Sequence, residues 1–258
     1  MSILLGCDPE FFITNRRGTI VPAYLSGITG TKECPQKLSV GAVQVDGMAL
    51  EFNINPASTL EEWKYNIKTT IKEIEDMIED KGFSISTEVS NTFSQITFNK
   101  TPEIYRELGC SPDFFASIGS YEVRSVPDYI KFSKKRSCGG HIHIGWTQNE
   151  DVNDLSHIQD CQLISTLLSK ILLVPTIEGM TWRRDHYGAE NVIRVKPYGM
   201  EFRSPDNSWI FYETSMERVY NVINKLFEYL NRYPKIDITN TDSEFEDVID
   251  EIYNYVHS

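Results

Sequence analysis

The sequence predicts an α+β fold with an antiparallel sheet. Three observations predict it. The strand-like segments alternate apolar and polar residues, as half-buried antiparallel strands do, instead of running continuously apolar like strands of a covered parallel sheet. They come in groups between helices and not in a strand–helix–strand succession. The helical segments place apolar residues at helical spacing, so each presents one face to a core. At 40% hydrophobic and 12% aromatic, the 258 residues carry enough apolar surface to build that core. No repeat, low-complexity stretch or linker divides the chain, so residues 1–258 read as one domain.

The first strand runs from Ile3 to Ile13, with a turn signal at Asn15–Gly18 and a return strand near Thr19–Tyr24. Ser26–Lys37, rich in Gly, Thr, Lys and Pro, reads as a flexible loop, and its GITGTK stretch lacks P-loop spacing. Strand character resumes from Val40 to Asn55. Thr59 and Glu62 form a capping box ahead of Trp63, Ile67, Ile71, Ile74 and Ile78, an amphipathic helix that stops near Gly82. Phe83–Arg136 mixes short strands with proline breaks. A strand at Gly140–Trp146 precedes a helix from Asn153 to Leu173, ended by Pro175. Strands Asn191–Lys196 and Met200–Ser204 flank a Pro-Tyr-Gly turn. Helices Ser208–Arg232 and Ser243–His257 close the chain, the second opened by a capping box of Ser243 and Glu246.

Thirty-seven acidic residues against 25 basic give a net charge of −12, which disfavours nucleic acid and anionic membranes as partners. The start, MSILLGCDPEFF, lacks the basic region of a signal peptide, and no stretch approaches the roughly 20 apolar residues of a membrane span. Cys7, Cys34, Cys110, Cys138 and Cys161 are scattered and form no CxxC pair, so they read as reduced thiols of a cytoplasmic protein. No GxGxxG, GxSxG or HExxH motif is present.

In a strand, residues two apart share a face. Asp8 and Glu10 therefore share one, opposite Cys7 and Phe11, and Glu51 and Asn53 alternate with Leu50, Phe52 and Ile54. His141 and His143 alternate with Ile142, Ile144 and Trp146. Arg194 and Lys196 alternate with Ile193 and Val195, and Glu201 and Arg203 with Met200 and Phe202. Ordinary solvated strands show the same alternation, but with Thr, Ser, Lys and Gln. Here the outward set is carboxylates, imidazoles and guanidinium groups. Carboxylates gathered on one surface repel one another unless cations neutralise them or some are protonated. Carboxylates with one or two histidines favour a hard cation, Mg²⁺ or Mn²⁺, over zinc. The glycines before His141 read as positions of close backbone or ligand approach.

The segments GCDPEF, VDGMALEFNINPA, LGCSPDF, CGGHIHIG and RRDHYG, then RVKPYGMEFRSPDNSW, resemble in content and order the phage-type COOH–NH₂ ligases of the glutamine-synthetase-like superfamily. The resemblance spans residues 6–209 and implies a curved antiparallel sheet backed by helices, with ATP and metals held in its concave face. It implies metal ligation by Asp8 and Glu10, by Asp46 and Glu51 with Gly47 between them as a bulge, and by Glu201. The HxH pair maps one histidine to metal and the other to nucleotide, taken here as His141 and His143 in that order. Asn53 and Arg203 join the nucleotide contacts, and Arg183, Arg184, Arg194 and Arg203 surround the transferring phosphate. For Arg183 and Arg184 the alternative is a pair of surface charges. Tyr187 with Gly188 reads equally as a turn, and Cys110 and Asp113 as pocket lining or structural loop.

The expected activity is ATP-dependent joining of a small-molecule or peptide carboxylate to an amine through an acyl phosphate, in the host cytoplasm if phage-encoded. A metal-dependent phosphotransferase on the same fold, or a non-catalytic nucleotide- or metal-binding phage protein, are the competing expectations.

Overall fold

The strands are β1 (Leu4–Phe11), β2 (Ile13–Asn15), β3 (Ile20–Val21), β4 (Gln36–Lys37), β5 (Gly41–Asp46), β6 (Ala49–Ile54) and β7 (Phe83–Ile85). They continue with β8 (Ser90–Thr92), β9 (Asp113–Ser117), β10 (Ser120–Arg124), β11 (Lys135–Ser137), β12 (Gly140–Gly145), β13 (Val192–Lys196) and β14 (Gly199–Phe202). The structure, a computed structural model, describes residues 3–106, 113–117, 120–124, 133–172, 188–233 and 242–257. Nine strands form one sheet in the order β10-β9-β13-β14-β12-β1-β6-β5-β4, every neighbouring pair antiparallel. The α+β expectation with a large antiparallel sheet therefore holds.

One face of this sheet is apolar. Leu5, Cys7, Phe11, Val43, Leu50, Phe52, Ile142, Ile144, Ile193, Met200 and Phe202 are all buried in the main core. Helix Leu60–Glu79 packs on β5 and β6, helix Leu155–Leu172 on β9, β13 and β14, and helix Glu213–Arg232 touches both helices. Fully burying one such Leu, Ile or Phe is worth about 1.5–3 kcal/mol, so this contact holds the sheet and positions its other face. Trp63 stacks on Trp209 with ring centroids 5.5 Å apart and planes 6° from parallel. The Thr59 hydroxyl accepts from the Glu62 N–H at 3.2 Å, while the Glu62 carboxylate reaches back to the Ser58 N–H at 2.9 Å, one residue earlier than in the standard capping box. Gly82 ends the segment at φ 82°.

Several expectations need correction. The single strand Ile3–Ile13 is two: after Phe11 the chain leaves the main sheet, Phe12 enters a second core with Met48, Phe93, Phe98 and Cys138, and β2 pairs with β3 and β7. Beyond Val21 the return strand gives way to a 3-10 turn at Ala23–Ser26. Val40–Asn55 is a hairpin, β5 and β6. Its turn is Gly47–Met48, closed by the pair Asp46 and Ala49, so Gly47, at φ 55°, is a turn residue and not a bulge. A glycine at the first of two central turn residues, the only one of the two at positive φ, matches a type II′ hairpin turn. Loop Ser26–Lys37 is tied down: the Val45 N–H donates to the Gly30 carbonyl at 2.9 Å, and a Cβ on Gly30 would meet the Val43 carbonyl at 2.0 Å. The helix expected from Ser208 divides into a 3-10 turn, Asn207–Phe211, and the helix Glu213–Arg232. Helix Leu155–Leu172 is capped by Asp154, whose carboxylate accepts from the Ser156 and His157 N–H groups at 2.9 and 3.1 Å.

Among the described residues no helix is long and apolar enough to cross a membrane. Cys7, Cys34, Cys138 and Cys161 are free thiols, and Cys110 lies outside the described residues.

Candidate metal centre

Register brings the polar residues together. Asp8 pairs with His141, Glu10 with Glu51, His143 with Glu201, and Glu201 in turn with Arg194. All stand on the sheet face opposite the apolar one. Among the described residues two ligand-sized groups result, Asp8–His143–Glu201 and Glu10–Asp46–Glu51, each with donor atoms within 4.8 Å of one another. Asp8 and Glu10 are two residues apart on β1, so the groups lie side by side, about 7 Å apart along the strand.

In the first group, Asp8 Oδ1 lies 3.0 Å from His143 Nε2 and 3.5 Å from His141 Nδ1. It is buried, and neither contact has the alignment of a hydrogen bond. Burial works to raise the Asp8 carboxyl, but the His143 charge and the two imidazole contacts outweigh it and hold the group well below the usual carboxylate range. For His143, burial works downward, and the Asp8 carboxylate beside it wins and raises the imidazole. His143 Nδ1 is hydrogen-bonded to the Tyr198 hydroxyl. Glu201 is wholly buried and surrounded by cations: Arg194 Nη1 and Lys196 Nζ each stand 3.1 Å from Oε2, and Arg203 Nη1 contacts Oε1. Burial and the Asp8 charge push the Glu201 carboxyl up, yet Arg203 and the two histidines prevail and bring it to about 2.

The second group behaves in the opposite way. Burial and the Glu10 charge raise Asp46 to about 6, against the pull of Lys32, His141 and Arg203. Burial, with the charges of Asp8, Asp46, Glu10 and Glu201, lifts Glu51 well above the carboxylate range. Glu51 accepts a 3.0 Å hydrogen bond from Gln44 Nε2, and Glu10 accepts one from the Gly139 N–H at 2.8 Å. Crowded carboxylates raised by burial and by mutual repulsion, beside a buried carboxylate oxygen without a hydrogen-bond donor, fit a divalent cation that would relieve both. An all-oxygen set and an oxygen set with one imidazole suit Mg²⁺ or Mn²⁺.

A cavity of about 710 Å³ opens beside the first group, lined by Leu4, Gly6, Asp8, Glu51, Asn53, His143, Gly145 and Tyr198 among others. Its volume lies in the range of small-molecule sites. Gly6 and Gly145 form a floor without side chains, and an added Cβ at either would come no closer than 3.4 Å to protein. The glycines before His141 do serve close approach: a Cβ on Gly140 would meet the Asp206 carbonyl at 2.0 Å, and one on Gly139 would meet His141 Nε2 at 2.3 Å.

Asp8, Glu10, Asp46, Glu51, His141, Arg194, Glu201 and Arg203 thus gather on one face. Of the residues expected at nucleotide, His143 and Asn53 line the cavity, whereas Arg203 sits against Glu201. Of the two histidines, His143 belongs to a ligand-sized group as well as to the cavity, while His141, buried, approaches Asp8 and Glu201, the latter at 3.8 Å. Arg183, Arg184 and Tyr187 lie outside the described residues, as do Cys110 and the side chain of Asp113.

Sequence reasoning missed four contributors. Gln44 was legible from its place opposite Glu51 in the hairpin. Lys32, in the loop taken as flexible, influences Asp46, and Asn207 Nδ2 donates to the Glu10 carbonyl at 2.9 Å. Tyr198 read only as part of a turn. The sequence matches no family model and no curated protein. The fold and site describe an α+β protein with two candidate cation groups, among the described residues, on the polar face of an antiparallel sheet.

Proposed function

We propose that this protein is an ATP-dependent carboxylate–amine ligase that works with two divalent cations, Mg²⁺ or Mn²⁺. The observation that carries the reading is the pairing of Asp8–His143–Glu201 with Glu10–Asp46–Glu51 on one face, beside a cavity and with Arg194, Lys196 and Arg203 gathered on Glu201. In this reading the six acidic and imidazole side chains hold the cations, and the cavity takes the nucleoside end of the nucleotide. Bound cations supply neutralisation of the charge that spreads over the phosphoryl oxygens during transfer. Arg194, Lys196 and Arg203 add fixed positive charge at the same edge. The γ-phosphoryl passes to the oxygen of a substrate carboxylate and ADP leaves. An amine then attacks the acyl carbon, phosphate departs, and the amine proton goes to a nearby carboxylate.

The test is phosphate release with ATP, Mg²⁺ and mixed amino acids. Release that requires both an acid and an amine, and that Asp8→Asn and Glu10→Gln each abolish, is expected. Release independent of the amine, or unaffected by either substitution, would overturn the ligase reading.

Gly145→Leu tests the cavity. Gly145 shares the face of His143, and its Cβ position is 3.5 Å from the nearest protein atom, so the strand tolerates a side chain that then fills the space. Calorimetry should show nucleotide affinity falling at least about tenfold, with Mn²⁺ affinity in the absence of nucleotide retained. Unchanged nucleotide affinity would remove the cavity from the site.

A further inference from the structure

We infer that Tyr198 is the positioning residue that fixes which nitrogen His143 presents to a cation, an inference that rests on the cation site proposed above. Tyr198 occupies the two-residue turn between β13 and β14 and is held from two sides. Its carbonyl accepts from the Trp146 and Thr147 N–H groups at 2.9 and 3.2 Å, and the Pro197 carbonyl accepts from the Glu150 N–H at 3.0 Å. The turn is thereby fastened to the end of β12, the strand that carries His143. From that anchored position the Tyr198 hydroxyl bonds His143 Nδ1.

With Nδ1 so engaged, Nε2 is the nitrogen that faces Asp8, 3.0 Å from Oδ1 and without hydrogen-bond alignment. Adjacent ligands of an octahedral cation with bonds near 2.1 Å stand about 3 Å apart, so the two atoms already have the spacing of neighbouring ligands. A ligating imidazole offers a lone pair on one nitrogen and donates the N–H of the other to a partner that sets tautomer and ring orientation. A hydroxyl can accept that N–H, and its own hydrogen then remains for an acceptor in the cavity that Tyr198 lines. The backbone ties explain why a turn residue can do this: the oxygen is placed by the strand ends and not by a mobile side chain alone.

The experiment measures Mn²⁺ affinity by calorimetry for wild type, Tyr198→Phe and Asp8→Asn, with thermal unfolding of each in EDTA. Tyr198→Phe should unfold within a few degrees of wild type yet bind Mn²⁺ about 10- to 100-fold more weakly. Nitrogen NMR of the Mg²⁺-loaded wild type should show His143 protonated at Nδ1 and bare at Nε2. Wild-type affinity in Tyr198→Phe, with affinity lost in Asp8→Asn, overturns the role of Tyr198 and leaves the cation site standing. Wild type that binds no Mn²⁺ overturns the cation site and this inference together. If Tyr198→Phe unfolds early, the NMR readout decides: a proton on Nε2 in the Mg²⁺-loaded wild type refutes the inference.

Discussion

Glu51→Gln should be more stable than wild type at pH 7 in EDTA and should gain little from added Mg²⁺ or Mn²⁺. Burial, together with the charges of Asp8, Asp46, Glu10 and Glu201 around it, holds the Glu51 carboxyl well above the ordinary range. A carboxyl raised on folding binds its proton more tightly in the folded chain. Its contribution is therefore favourable at low pH and falls as pH rises from the unfolded value, near 4, through the folded one. Asp46, raised to about 6, adds the same sign, a loss on the order of 2 kcal/mol between pH 4 and 7. His143, also raised, loses its contribution in the same direction as pH climbs through its folded value. Asp8 and Glu201, both lowered, act below the usual carboxylate range, where stability is lost on acidification, so their window is separate.

Without cation, wild-type stability should therefore decline from about pH 5 to pH 7 on this account. With cation it should rise over the same interval, because protons compete for the ligands. Urea denaturation at several pH values, in EDTA and in Mg²⁺, measures both curves. A Glu51→Gln variant that is less stable than wild type in EDTA at pH 7, or that responds to cation as wild type does, would remove Glu51 from the site.

Glu201→Ala should lower stability by about 3 kcal/mol, more than any other single substitution on this face. Its carboxylate is wholly buried and neutralises Arg194, Lys196 and Arg203. Removing it leaves three like charges at close quarters, one of them, Arg203, itself buried. Lys196→Met should cost no more than about 1 kcal/mol, because that side chain is 26% exposed and solvent screens its contact. Urea midpoints compare the two, and added salt should recover part of the Glu201→Ala loss as it screens the surviving cations. A loss below about 1 kcal/mol for Glu201→Ala would mean that the three cations find other partners.

Local pattern was enough for the long helices, the longer strands and the faces these elements show, though not for where the first strand breaks or the Ser208 helix divides. Alternation put Asp8 and Glu10, His141 and His143, and Glu201 and Arg203 on one side of their strands, since side chains in a strand repeat every two residues. Helical spacing from Trp63 to Ile78 likewise announced the buried face of the first long helix. Neither signal carries pairing. That β12 lies between β1 and β14, with His143 opposite Glu201 and His141 opposite Asp8, comes from the packing of the whole chain. Strand order is set by pairings such as Asp8 with His141 and His143 with Glu201, far apart along the chain, which a local pattern does not encode. The same holds for Tyr198 and Lys32: each looks like loop punctuation along the chain, and each reaches the site because distant strands bring its loop there.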